Sequence, residues 1–154
     1  MKIIVLKRRQ DMTISPKLDA VYTQFNALVD ELNTRGLPDS TVGAVNRKIE
    51  EVNATTKASK SMRRIVLKKQ AKLVRLIEKE HKIVPKNYYR NLWLVLGMSA
   101  FGIPIGAAIG ASVGNMGLLA IGLPIGMAFG MVVGARMDKK ALDEGRQLSI
   151  ELKN

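Results

Sequence analysis

The chain contains no cysteine and one histidine. Without cysteine there is no disulfide framework, no thiolate zinc site and no thiol nucleophile. The single histidine, His81, lies in a lysine-rich stretch and reads as an exposed surface residue, not a ligand. Asp138, Asp143 and Glu144 lack metal-loop spacing, and no Gly-Lys-Ser/Thr follows any glycine run, so no phosphate-binding loop is present. No catalytic residue, metal site or cofactor is expected, and an enzyme is not indicated. Aromatic residues make up 5% of the chain, too few for the stacking platforms of a sequence-reading single-strand binder.

Acidic residues are scarce too, 13 against 25 lysines and arginines in 154 residues, and the imbalance is local. Residues 1–90 hold 20 basic and 9 acidic side chains, whereas residues 91–154 hold 5 and 4. The largest absence is of charge altogether. Residues 91–135, "NLWLVLGMSAFGIPIGAAIGASVGNMGLLAIGLPIGMAFGMVVGA", contain no ionisable side chain over 45 positions. A bilayer core takes about 20 apolar residues per helix, so this length fits two spans and a tight connection. Asn115, flanked by Gly114 and Gly117, is the strong turn signal inside the run, and it divides the run into spans at 92–114 and 118–135. A soluble domain of this size would rarely bury so much uncharged chain. The early apolar run from Ile3 to Leu6 is too short for a signal peptide and has no cleavage site; it reads as a short strand or a membrane-touching segment.

Within the two spans, Gly102, Gly106, Gly110 and Gly114 recur at every fourth position, as do Gly122, Gly126, Gly130 and Gly134. Residues four apart share a helix face, so each set forms a smooth ridge. A glycine costs about 1 kcal/mol relative to alanine in an aqueous helix, and close approach of another helix is what such a ridge gains. Two ridges on one hairpin can satisfy each other, or join neighbouring copies. Pro104 and Pro124 are expected to kink the spans or release carbonyls. A single hairpin encloses no cavity, whereas a ring of hairpins does, and the ridges are therefore expected to pack an oligomeric pore.

The segments "NYYRNLWLVLGMSAFGIPIG" and "GLPIGMAFGMVVGARMDKKALDEGRQL" resemble the bacterial glycine zipper family of small membrane proteins, over roughly residues 87–150. The layout, a basic cap on such a hairpin, is also similar to channel effectors of bacterial anti-phage systems such as the Hailong type. The resemblance implies membrane packing in a bacterial inner membrane, and in its second form conduction.

Lys86 and Arg90 precede the run and Arg136, Lys139 and Lys140 follow it, while its central turn carries no charge. The positive-inside rule then places both ends in the cytoplasm. Tyr88, Tyr89 and Trp93 stand where an interfacial aromatic belt belongs, or pack on the cap.

The first half reads as helices at about 16–35 and 40–84. Ser15 caps and Pro16 starts the first, and Gly36 and Pro38 end it. The second runs to Val84 before Pro85, either unbroken or broken near "NATTKAS", residues 53–59. Arg64, Lys68, Lys72, Arg75, Lys79 and Lys82 follow one helical face, suited to anionic lipid, to nucleic acid or another polyanion, or only to solvent. As one 26-residue helix, residues 57–82 would extend about 39 Å, beyond the Debye length of about 8 Å from a membrane, which favours an acidic ligand. The tail "RQLSIELKN" continues a helix or forms a strand with "KIIVL".

The reading is an all-α integral membrane protein: a basic cytosolic helical domain at 1–85, a transmembrane glycine-zipper hairpin at 86–136 and a cytosolic tail at 137–154. Its expected function is a homo-oligomeric ion channel or pore gated by an acidic ligand, such as an oligonucleotide, bound at the basic cap. The alternatives are a non-conducting tether for a nucleic-acid- or protein-binding domain, and a holin-like lesion former.

Overall fold

The computed structural model describes residues 2–8, 15–55 and 59–153, without the side chains of 59 and 60. The chain forms two compact units, Met1–Lys82 with Leu152–Asn154, and Ile83–Glu151. The expected separate tail at 137–154 is not one: the last helix of the second unit runs through to Asp143, and residues 147–151 form a strand of the same unit.

In the first unit α1 (Pro16–Thr34), α2 (Asp39–Asn53) and α3 (Ser59–His81) are helical. The Ser15 hydroxyl accepts the Leu18 N–H, Pro16 opens α1, and Gly36, at φ +63°, lies just beyond its end. Its buried face is Leu18, Val21, Tyr22, Phe25, Leu28, Val29 and Leu32. The stretch expected at 40–84, with a break near residues 53–59, is two helices that part there, and it ends at His81, short of residue 84; residues 56–58 of the connection lie outside the described residues. α3 stops before Lys82 because that residue takes a left-handed conformation, φ 57°. α1 and α2 each pack on α3, where Met62, Val66, Leu73, Val74 and Ile77 are buried. His81 is not fully exposed: Thr41 Oγ1 donates to Glu80 Oε2 and lies 2.9 Å from His81 Nε2, tying the first turn of α2 to the last of α3.

Residues 2–8 are extended without regular secondary structure, and Ile3 and Leu6 are buried. They do not pair with the tail as a strand. Their backbone groups are taken by asparagine side chains of α1 and α2.

The second unit begins with β1 (Val84–Lys86), which pairs in parallel with β2 (Gln147–Glu151). Between the strands lies a helical hairpin. Its first arm is α4 (Tyr88–Gly97), a π-turn (Met98–Gly102) and α5 (Ile103–Val113); its second is a short 3₁₀ turn (Met116–Leu118) and α6 (Leu119–Asp143). The connection is the one the sequence marks. Gly114 takes φ +67°, and the Asn115 side chain accepts the Gly117 N–H. Both arms, Tyr88–Val113 and Met116–Asp143, are long and apolar enough to cross a membrane, and both start or end beyond the spans expected from charge alone.

Pro104 does not simply kink its arm. It follows a π-turn in which the Ile103 N–H reaches Met98 across five residues, and such a wide turn accommodates a residue whose missing N–H breaks the ordinary ladder. Pro124 lies within α6, where the bond to the Ala120 carbonyl has no donor.

Candidate functional site

The glycine ridges meet inside the hairpin. A Cβ built on Gly122 would lie 2.6 Å from the Gly106 Cα, one on Gly126 2.6 Å from the Gly102 Cα, and one on Gly134 2.6 Å from the Tyr89 carbonyl oxygen. On Gly102, Gly106, Gly110 and Gly130 the added carbon would also meet backbone of the opposite arm or the turn, at 3.0 Å from Gly122 O, 3.0 Å from Leu119 Cα, 3.2 Å from Asn115 O and 2.8 Å from Trp93 C. The helices therefore touch backbone to backbone, through dispersion and short Cα–H···O contacts. Gly114 is not part of the ridge. It is the left-handed residue that ends α5, and a Cβ there would meet nothing within 4 Å.

Two further residues extend this line of contact, and only Gly97 departs from the four-residue spacing. Gly97 lies five residues before Gly102, and the π-turn returns it to the same face, where a Cβ would fall 2.9 Å from the Gly130 Cα. Asp138 is the fourth residue after Gly134, and it is buried. Its Oδ1 accepts the Tyr89 N–H at 3.0 Å and its Oδ2 the Arg90 N–H at 2.9 Å. The carboxylate of α6 thus caps the first turn of α4, where the helix dipole favours a negative charge. Asp138→Ala leaves two N–H groups without acceptors, and charge-assisted bonds of this kind contribute about 1.5–3 kcal/mol each. It is expected to lower unfolding stability in detergent by about 3 kcal/mol, while Asp138→Asn, which keeps one acceptor oxygen, is expected to lose less.

At the base of the hairpin Tyr89 is buried with Val84 and Ala141, and Tyr88, Trp93 and Met137 pack against them. The Tyr88 and Tyr89 rings meet edge to face at 5.2 Å. Arg90 and Arg136 are exposed. Beyond α6, Glu144 hydrogen-bonds Arg146 and raises its pKa.

The outer faces of the hairpin are apolar and open. Val95, Phe101, Val113, Met116 and Phe129 are each at least half exposed, and only 17% of each apolar window is buried. A core helix of a soluble protein would be mostly covered. The two serines on the first arm turn inward to their own helix, Ser99 bonding the Val95 and Leu96 carbonyls and Ser112 that of Ala108. Opposite the glycines run exposed small residues at the same spacing, Ala100, Pro104, Ala108 and Ser112 on one arm and Ala120, Pro124 and Ala128 on the other.

On α3 the side chains of Arg64, Lys68, Lys72, Arg75 and Lys79 are exposed. At 100° per residue they fall within about a quarter turn of the helix. Lys82 is exposed as well, past the end of the helix. No carboxylate among the described residues forms a salt bridge with any of these five helical cations. To one side of this face Lys69 bonds Glu51 and holds its carboxyl below the usual range. Glu80, one of the two acidic residues on α3, is held by Thr41. Among the described residues no three His, Asp or Glu side chains converge as a metal site. The chain matches no family profile, no curated protein and no solved structure.

Proposed function

We propose that the hairpin spans a membrane, the bacterial inner membrane by its resemblance, and that it anchors a basic helical domain whose α3 face binds a polyanion. The observation that carries this reading is the arrangement of the hairpin: its glycine ridges are occupied by each other, which leaves large apolar side chains facing outward over both arms. That surface suits lipid. The basic residues at both ends of the apolar run, and their absence from the turn, favour cytoplasmic ends. The α3 cations extend over about 22 Å, and phosphate groups of a nucleic acid supply counter-charges repeated along a comparable length.

A second reading, the homo-oligomeric channel, draws on the exposed ridges of Ala100, Pro104 and Ala108 and of Ala120, Pro124 and Ala128. Small residues at this spacing favour helix association in lipid, so a ring would form through these outer ridges and not through the glycines.

Reconstituted protein separates the two. A tether is expected to bind a 20-nucleotide single-stranded DNA probe without passing current across a planar bilayer. Unitary currents that respond to the probe and disappear with Ala108→Leu would support the channel, and the absence of both binding and current would oppose both readings.

A further inference from the structure

The outer face of α6 changes character at one point along its length. At about 100° per residue, Phe129, Val132 and Val133 share one arc of the helix, turned away from Gly130, Gly134 and Asp138, which meet α4. Arg136, Lys139 and Lys140 fall on the same arc further along. All six side chains are exposed. The cations begin directly after Ala135, where the uncharged run ends, so an apolar strip passes without interruption into a basic one.

The carboxylates of this end are committed elsewhere. Asp138 accepts the Tyr89 and Arg90 N–H groups. Glu144 accepts from Arg146 Nε at 2.7 Å and stands 3.9 Å from Lys140, an exposed and therefore weak pair. Asp143 lies a full turn beyond Lys139. Among the described residues Arg136 and Lys139 form no salt bridge. Arg90 adds another exposed cation at the height of Arg136, since its backbone lies against both Gly134 and Asp138. Along this face the order is thus apolar side chains, then cations without close counter-charges, and acids last.

Depth decides what can neutralise them. Arg136 to Lys140 cover about 6 Å along the axis, and one headgroup layer is about 5–7 Å deep, half the difference between a whole bilayer and its hydrocarbon core. With the apolar run in the core, the three cations stand within that layer and within the Debye length of about 8 Å. We propose that this face is a binding site for an anionic phospholipid, with an acyl chain on Phe129, Val132 and Val133 and the phosphate on Arg136, Lys139 and Lys140. The inference rests on the reading of the hairpin as membrane-spanning. A zwitterionic lipid brings its own ammonium group into the same layer, where the neighbouring cations repel it, so the site selects a headgroup of net negative charge.

The single tryptophan of the chain makes the test direct. In the full-length protein Trp93→Phe removes it and Phe129→Trp places another on the acyl-chain half of the site. Its fluorescence is followed in vesicles of phosphatidylglycerol and phosphatidylcholine in equal parts, with one lipid or the other brominated on its chains and both leaflets alike, so that orientation has no influence. Phosphatidylglycerol is expected to be preferred about fivefold, the effect of one cation near an anionic surface. Adding Arg136→Gln, Lys139→Gln and Lys140→Gln is expected to bring the ratio to about 1. Equal quenching by both lipids before that change, or a preference that survives it, would overturn the proposal and leave the spanning hairpin standing. Absence of quenching by either lipid would overturn both. A preference abolished by a single-stranded DNA probe would assign the cations to nucleic acid and also overturn the proposal. Native mass spectra of the chain with its own Trp93 and Phe129 decide even if the tryptophan exchange disturbs the fold: bound phosphatidylglycerol is expected to be retained there and lost from the triple glutamine variant, and equal retention by the two would contradict the site.

Discussion

Gly122→Ala is expected to open the hairpin. One methyl group is enough, since the added Cβ would lie 2.6 Å from the Gly106 Cα with the Gly102 carbonyl closer still, and backbone atoms cannot rotate out of its way as a side chain can. Overpacking in ordinary cores costs about 1–3 kcal/mol, and a rigid backbone wall puts this site at the upper end or beyond. The arms should separate toward the about 8–10 Å of helices packed through larger side chains. Spin labels on cysteines introduced at the exposed Val95 and Val132 would read that separation as a longer distance. Gly126→Ala is expected to behave alike. Gly114→Ala is the control: it has open space but a left-handed backbone, so it should cost about 1–2 kcal/mol of local strain and leave the label distance unchanged. An unchanged distance in Gly122→Ala would remove the backbone contact from the account.

The second large effect concerns α3. Changing Arg64, Lys68, Lys72 and Arg75 together to Gln removes four exposed charges from a face that is not part of the bundle core, so the fold should persist. At about 1 kcal/mol per charge facing an anionic surface, affinity for a single-stranded DNA probe is expected to fall about 10³-fold. The slope of log affinity against log salt should flatten by about 3 units, from roughly 0.7 per phosphate contact. Loss of affinity without a change of slope would mean that the four residues act through something other than counter-charge. Full affinity in the variant would return the stripe to the role of a solvated face.

Much of this architecture is legible in local sequence because local physics writes it. Ser15 and Pro16 mark the start of α1, Gly36 its end, and Asn115 the tip of the hairpin. The four-residue spacing of glycines says that a helix has a smooth face. It does not say what that face meets, and both ridges turned out to meet each other within one hairpin. Spacing also fails where the helix changes pitch: Gly97 belongs to the ridge through a π-turn, and Gly114 leaves it because a left-handed residue ends α5. Asp138 was hidden among tail charges since its partners are backbone N–H groups almost fifty positions earlier. The asparagine contacts with residues 2–8 were hidden for a like reason. Asn26, Asn33, Asn46 and Asn53 are ordinary helix-surface residues until an extended segment lies across them, though their two heptad spacings are a signal that could be sought.

The central claim, that the hairpin crosses a membrane and returns, is tested most directly by labelling single cysteines with a membrane-impermeant maleimide in intact bacterial cells and after lysis. The account predicts that Asn115→Cys reacts in intact cells, that Lys72→Cys and Lys153→Cys react only after lysis, and that Ala108→Cys reacts in neither case while the bilayer is present. Reaction of Ala108→Cys in water alongside Asn115→Cys, both only after lysis, would contradict it.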